Sequence, residues 1–221
     1  MAAPHQDTRN DNDGRGVQDR LFDTAEDLFC RRGFNETSVR DIAAAADCNV
    51  ASVNYYFGGK ENLYLEIWRR RLAQIRERRL ASIEEVMSAG GRPELENLLR
   101  SHAISFLEPL IEGERQCRFI NLMAREMIDP HLPHGMFLAE MVTPVMSVLG
   151  KALMEICPWL DEANVQVVIL LVVGQLMHAV CAKQMFEEGG ELFPVRIEDL
   201  VNHIVRFSAA GIRAYAGEHG A

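Results

Sequence analysis

From residue 17 onward apolar side chains recur every three or four positions, and no segment sustains the period-two alternation of a strand. A chain patterned this way is restricted to an all-α fold. Apolar residues make up 48% of its 221 residues, enough for one large core or two modest ones and too many for global disorder.

Punctuation divides the pattern into helices. Residues 1–16 are rich in Asp, Asn, Gly and Arg and read as a disordered tail. A first helix then begins near Val17, with Val17, Leu21, Phe22, Ala25, Leu28 and Phe29 on one apolar face. Gly33 suits a left-handed cap, and Phe34 can fold back on the helix. Ser38 followed by Asp41 has capping-box spacing and opens a short helix over 39–46, with Ile42, Ala43 and Ala46 inward. Asp47 and Cys48 make a turn, Asn49 caps a helix over 50–57, and Gly58 and Gly59 end it. Two short helices joined by a tight turn and packed on a longer first helix form a helix-turn-helix. Lys60 opens a long helix with Leu63, Ile67, Leu72, Ile75, Ile83 and Val86 inward. Further helices are expected over 94–110, 117–128, 136–157 (kinked at Pro144), 161–188 and 196–216.

Charge and cysteine usage narrow the function classes. The net charge is -9, yet basic and acidic residues balance at 13 each as far as Arg79, so the excess acidity lies downstream. A near-neutral N-terminal module with clustered arginines can still meet phosphates. Five scattered cysteines without CxxC spacing fit reduced thiols in a cytoplasmic protein. The N-terminal residues have no apolar segment of a secretory signal. The apolar run 165–180 contains Gln175 and His178, falls short of the ~18 residues of a spanning helix and reads as a buried helix, so no membrane partner is expected.

The stretch Thr37-Ser38-Val39-Arg40-Asp41-Ile42-Ala43, continued through Tyr55-Tyr56-Phe57 to Lys60-Glu61-Asn62-Leu63, resembles the TetR family of bacterial regulators. Asp47 departs from the glycine usual in that family's turn, and Asn54 stands where an aromatic is frequent. Met123 to Pro130 and Val142-Thr143-Pro144-Val145 are similar to the C-terminal domain of the CecR-type subgroup. The resemblance implies an N-terminal three-helix helix-turn-helix DNA-binding domain, here 17–62, and a C-terminal helical ligand-binding and dimerisation domain, here 63–221. It implies a transcriptional regulator, a repressor released from its operator by a small molecule, with no cofactor and no enzymatic activity.

The chemistry of the recognition stretch agrees. Val50, Ala51 and Ser52 are small side chains at a helix N-terminus that can enter a major groove. Val50 or Ala51 can touch a thymine methyl, Asn54 can pair with adenine, and Arg40 can reach a guanine edge. Thr37, Ser38, Asn49, Tyr55, Tyr56 and Lys60 complete the DNA-binding set, the hydroxyls and the ammonium as phosphate contacts. At 100° per residue the three aromatics fan around the helix, so Phe57 turns inward with Val53, and either tyrosine can pack on the first helix instead. The arginines at 69, 70, 71, 76, 78 and 79 read as a solvated helix face.

The expected partners are double-stranded operator DNA, an unknown small-molecule effector and a second copy of the chain. For the homodimer the last two helices are the interface, with Ile197, Leu200, Val201, Ile204, Ser208, Gly211, Ile212 and Tyr215 on one face, unless that face buries only the chain's own core. Effector-pocket candidates are His102, Phe106, Phe119, Met123, Met127, Phe137, Met141, Gln175 and His178, each of which equally suits ordinary packing. Arg118 and Arg125 can meet an anionic ligand or pair with Glu126 or Glu114. The competing classes are a metal-binding or enzymatic protein using Asp129, His131 and His134, and a helical sensor that does not bind DNA. The prolines put that histidine pair on a loop, not on one helix face, so no metal site is assigned.

Overall fold

The computed structural model describes residues 10–108, 119, 122–123, 125–126 and 128–218. Eight helices are delimited: α1 (Asn10–Arg32), α2 (Val39–Ala45), α3 (Val50–Phe57), α4 (Lys60–Ser88), α5 (Leu95–Leu107), α6 (Thr143–Ile156), α7 (Glu162–Glu188) and α8 (Ile197–Glu218). No strand occurs among the described residues. Helix α1 starts at Asn10, earlier than the Val17 expected from the apolar pattern. The remainder of the assumed tail, 1–9, lies outside the described residues.

The helices sort into two compact units, one reaching Arg71 and including Glu114–His134, the other comprising Leu72–Gly113 and Gly135–Ala221. Helix α4 therefore contributes to both.

In the first unit, Leu21, Phe22, Ala25, Leu28 and Phe29 of α1 are buried, as the spacing predicts. Gly33 ends the helix at φ 86°, with its N–H donating to the Phe29 carbonyl at 2.8 Å. Phe34 folds back and packs against Phe29 and Tyr64, with ring centroids 6.0 and 4.9 Å away. The segment 119–134 joins the same core, with Trp68 facing Phe119 at 4.9 Å and the Tyr64 hydroxyl donating to Glu126 at 2.8 Å. Glu26 of α1, only 3% exposed, receives the Arg71 guanidinium through both oxygens. Arg71 thus leaves the solvated face assigned to it. Periodicity had placed it by its own neighbours, whereas its partner lies on a different helix.

In the second unit α5 packs against α7 and α8, α6 against α7, and α7 against α8. Arg213 of α8 grips Glu96 of α5 with a hydrogen bond at 2.7 Å and an ion-pair contact at 2.5 Å. The disturbance expected at Pro144 takes the form of a π-helical turn, Leu138–Val142, leading into α6. Proline has no N–H for the carbonyl four residues back. That carbonyl, of Glu140, accepts from Arg76 at 2.7 Å instead. Arg76 is accordingly half-buried, and Arg79 is buried, so neither belongs to a solvated face.

Helix α7 is also not buried all round. Val165, Val168, Ile169, Val172, Leu176 and Ala179 are buried, while Val167, Leu170 and Leu171 are exposed on the opposite side. At 27 residues α7 is long and apolar enough to cross a membrane by length and composition, contrary to the shorter run expected. One face buried against protein is what a bundle helix requires. On α8, Val201, Ile204, Ser208 and Ile212 are buried within the chain, so the stripe expected to form the dimer interface serves intrachain packing. The exposed side carries Phe207, at 74%, with Ala210 and Gly211 beside it.

Candidate nucleic-acid interface

Local capping chemistry positions α2 and α3. Ser38 Oγ accepts the Asp41 N–H at 3.1 Å, and the Asp41 carboxylate accepts the Ser38 N–H at 3.0 Å. The capping box expected from the spacing is present, and the Ser38 hydroxyl holds the Asp41 carboxyl below its ordinary range. Cys48 N–H closes the turn on the Ala43 carbonyl at 2.9 Å. Asn49 Oδ1 then accepts the Ala51 N–H at 2.8 Å and starts α3. Gly58, at φ 74°, terminates it with its N–H on the Asn54 carbonyl at 2.9 Å. An added Cβ there would lie 2.9 Å from Asn62 Nδ2, the free end of a side chain that can shift, so it is the left-handed φ that calls for glycine.

Between these caps α3 buries Val53 completely and turns its other side outward. Val50 is 44% exposed, Tyr55 is 81% exposed, and Ala51 and Asn54 are exposed. Ser52, Tyr56 and Phe57 are half-buried, and the two tyrosine rings meet edge-on at 4.9 Å. Arg40 is exposed on α2.

Three expected contacts change role. Thr37 is fully buried and donates its hydroxyl to the Gly33 carbonyl at 2.8 Å, so it cannot offer that hydroxyl to a phosphate. Ser38 is exposed, yet its hydroxyl proton points at Asp41 Oδ2, 2.5 Å away. Lys60 Nζ donates to the carbonyls of Phe34 and Thr37, at 2.9 and 3.0 Å, and lies 4.0 Å from the Phe34 ring centroid. Two of the three ammonium protons thereby hold the α1–α2 loop. Residue types alone suggested phosphate contacts; in the folded chain the carbonyls of Gly33, Phe34 and Thr37 in the α1–α2 loop take these donors.

Asp47 has φ 51°, the left-handed region, at the turn position where glycine was noted as usual for the resembled family. Asp47→Gly is expected to gain about 0.5–1 kcal/mol in urea unfolding, and Asp47→Val to lose about 1–2 kcal/mol, since a β-branched residue tolerates this conformation least. Equal stability of all three proteins would rule out strain at this turn.

The effector candidates fall in both units. Phe119 and Met123 belong to the first unit and Met127 lies outside the described residues. In the second unit His178 is exposed, and Gln175 donates to the Leu171 carbonyl and the Ser208 hydroxyl, each at 3.2 Å. His178 is thus turned to solvent, while Gln175 is half-buried and bridges α7 to α8 through Ser208. Phe137 is half-buried and Met141 buried near the π-helical turn. His102 and Phe106 are buried together on α5, 6.1 Å apart. Burial pushes the His102 imidazole down to about 3, with Arg79 adding repulsion.

A histidine neutral in the folded state and protonated in the unfolded state below its ordinary range makes the unfolded state bind more protons. Stability therefore falls as pH drops from about 6.5 toward 3. Between pH 7 and 5 the wild type is expected to lose about 2 kcal/mol more than His102→Gln. Parallel pH profiles of unfolding free energy for the two proteins would contradict this.

The loop carrying Asp129, His131 and His134 is organised by Glu126, whose Oε1 accepts the N–H groups of His131 and Leu132 at 2.6 and 2.5 Å. The His131 ring packs on Phe34 at 4.4 Å and its Nε2 lies 3.2 Å from Asn35 Oδ1. His134 is exposed, and no group of three metal-ligating side chains occurs among the described residues. Arg125 reaches the Arg31 carbonyl at 3.3 Å, a different partner from the acids proposed for it, and Arg118 lies outside the described residues.

The model of the tetR family of bacterial regulatory proteins matches residues 21–67, which contain α2, the turn and α3. That of the tetracyclin repressor-like C-terminal domain matches residues 105–211. The chain belongs to the TetR family. It is 26% identical over 202 residues to the HTH-type transcriptional dual regulator CecR of Shigella flexneri, a match covering 87% of this chain and 89% of that protein. The probable HTH-type regulator YttP of Bacillus subtilis is 50% identical over 47 residues, covering 21% of this chain and 23% of that protein. A putative transcriptional regulator from Pseudomonas aeruginosa PAO1 shares the fold with TM-score 0.70 at 17% identity, covering 96% of this chain and 95% of that one. A TetR-family regulator from Streptomyces coelicolor does so with TM-score 0.66 at 20% identity, covering 96% and 97%. The protein is thus a TetR-family transcriptional regulator with an all-α fold and a helix-turn-helix DNA-binding domain, and its relatives are regulators, not enzymes.

Proposed function

We propose that this TetR-family protein is a cytoplasmic homodimer that binds a two-fold operator through α3 and is released from it by a small molecule held in the C-terminal helices. The observation that carries the reading is the presentation of α3. It is capped at both ends and anchored by Val53, with Val50, Ala51, Asn54 and Tyr55 left outward. Val50, Ala51 and Asn54 would face base edges, whereas Tyr55, Tyr56 and Arg40 would fix register on the backbone. One helix of eight residues reads too few bases, so two copies would be needed, with half-sites about 34–36 Å apart. The exposed Val167, Leu170 and Leu171 of α7 and Phe207 of α8 supply apolar surface for a four-helix dimer interface. An effector favouring another packing of the C-terminal helices would lower operator affinity by its differential affinity for the two states.

Fluorescence anisotropy with DNA from upstream of the protein's own gene tests the first part, and light scattering tests the second. A specific complex with a steep salt dependence and a mass of two chains is expected. A non-binding protein would favour the sensor reading instead, and a monomer at micromolar concentration would remove the dimer.

A further inference from the structure

Arg79 is the anomaly of the second unit. It is 8% exposed, its guanidinium carbon lies 3.8 Å from the Phe106 ring centroid, and its Nε has no hydrogen-bond partner. No carboxylate pairs with it among the described residues. Beside it His102 is fully buried, and both of its ring nitrogens are also without partners. The nearby hydroxyls are committed elsewhere. Ser82 donates to the Arg79 carbonyl at 2.8 Å and Ser105 to the His102 carbonyl at 2.9 Å. Burial pushes the Arg79 guanidinium down to about 10, which still leaves it charged at neutral pH. Among the described residues this leaves a buried cation without a counter-ion next to two orphaned nitrogens, a costly arrangement for a side chain with only a packing role.

We infer that Arg79 and His102 form the polar end of an effector site that takes a monoanionic carboxylate on an apolar body. One guanidinium balances one negative charge, and its fork matches the two carboxylate oxygens. A neutral imidazole adds a single N–H donor. A phosphate dianion would exceed this donor set. The apolar body follows from the helical neighbours of the pair: Phe106 touches both side chains, and Ile83, one turn from Arg79 on α4, and Leu98 and Leu99, one turn from His102 on α5, are all buried. The site deepens the proposed effector control and rests on it for its regulatory meaning, but its ligand binding can be measured without DNA.

The full-length protein is titrated calorimetrically with octanoate, 4-phenylbutyrate and octanamide. Saturable binding of at least one carboxylate is expected, with none of the amide at the same concentration. Arg79→Met should weaken the carboxylate about 10- to 100-fold, the range of a charge-assisted hydrogen bond, and His102→Gln about 3- to 10-fold. Circular dichroism and operator binding establish that each variant is folded; should Arg79→Met fail to fold, His102→Gln gives the same reading. Equal affinity for acid and amide, undiminished binding by the folded variants, or no carboxylate binding at all would each overturn the assignment. Carboxylate binding by a protein that ignores operator DNA would leave the site intact and remove the regulator reading; operator binding without carboxylate binding would do the reverse.

Discussion

Arg71→Met is expected to lower the unfolding free energy by about 3–5 kcal/mol, because it leaves the Glu26 carboxylate buried opposite a thioether. Glu26 is 3% exposed on α1, and Arg71 reaches it from α4 with its Nε and a terminal nitrogen. The loss reflects the desolvated charge left behind, not the intrinsic strength of the pair, so a compensating change should recover most of it. Glu26→Leu combined with Arg71→Met is expected to be close to wild type or above it, as buried ion pairs replaced by apolar residues often are. Urea unfolding of the two single variants and the double variant measures the cycle. A single-variant loss below about 1 kcal/mol would show that Glu26 is hydrated or protonated and that the pair does not hold α1 to α4. The same substitution should weaken operator binding only in proportion to unfolding, since neither residue lies on α3.

Ala51→Glu should act the opposite way, abolishing specific operator binding while leaving the fold intact. Ala51 is exposed in the first turn of α3, next to the Asn49 cap. A carboxylate there interacts favourably with the helix N-terminus, so stability should hold or rise slightly. Against DNA the same carboxylate introduces bulk and a like charge at the groove floor, and an affinity loss of about a hundredfold or more is expected, the equivalent of one or two mismatched base pairs. Anisotropy titrations at fixed salt, with thermal unfolding as control, separate the two effects. An Ala51→Glu protein that still bound its operator within about threefold would move the DNA-contacting surface away from the N-terminus of α3.

The fold and the two short helices of the helix-turn-helix are legible in local sequence because their signals are local. Ser38 and Asp41, Asn49, Gly58 and the 3.6-residue spacing of Leu21, Ala25, Leu28 and Phe29 each act within a few positions. Hydrogen bonds closed over such short separations need no partner from elsewhere, so a reader of the chain can assign them. The same reasoning fails for charged side chains whose partners lie on other elements. Arg71, Arg76 and Arg79 have identical chemistry and neighbouring positions on α4, yet one pairs with Glu26, one caps the carbonyl at the π-helical turn, and one is buried over Phe106. Lys60 and Thr37 serve the loop after α1 for a similar reason: which backbone carbonyls come within reach of a side chain is known only when the chain has folded. Helices α7 and α8 show the limit for apolar residues. Their composition made them interior helices, but which side faces the chain's own core depends on the rotation of each helix against its neighbours. That rotation buries Val201 and Ile212 and exposes Leu170 and Phe207. Short-range periodicity and caps specify helices, whereas the destination of each long or charged side chain is an outcome of packing between elements distant in the chain.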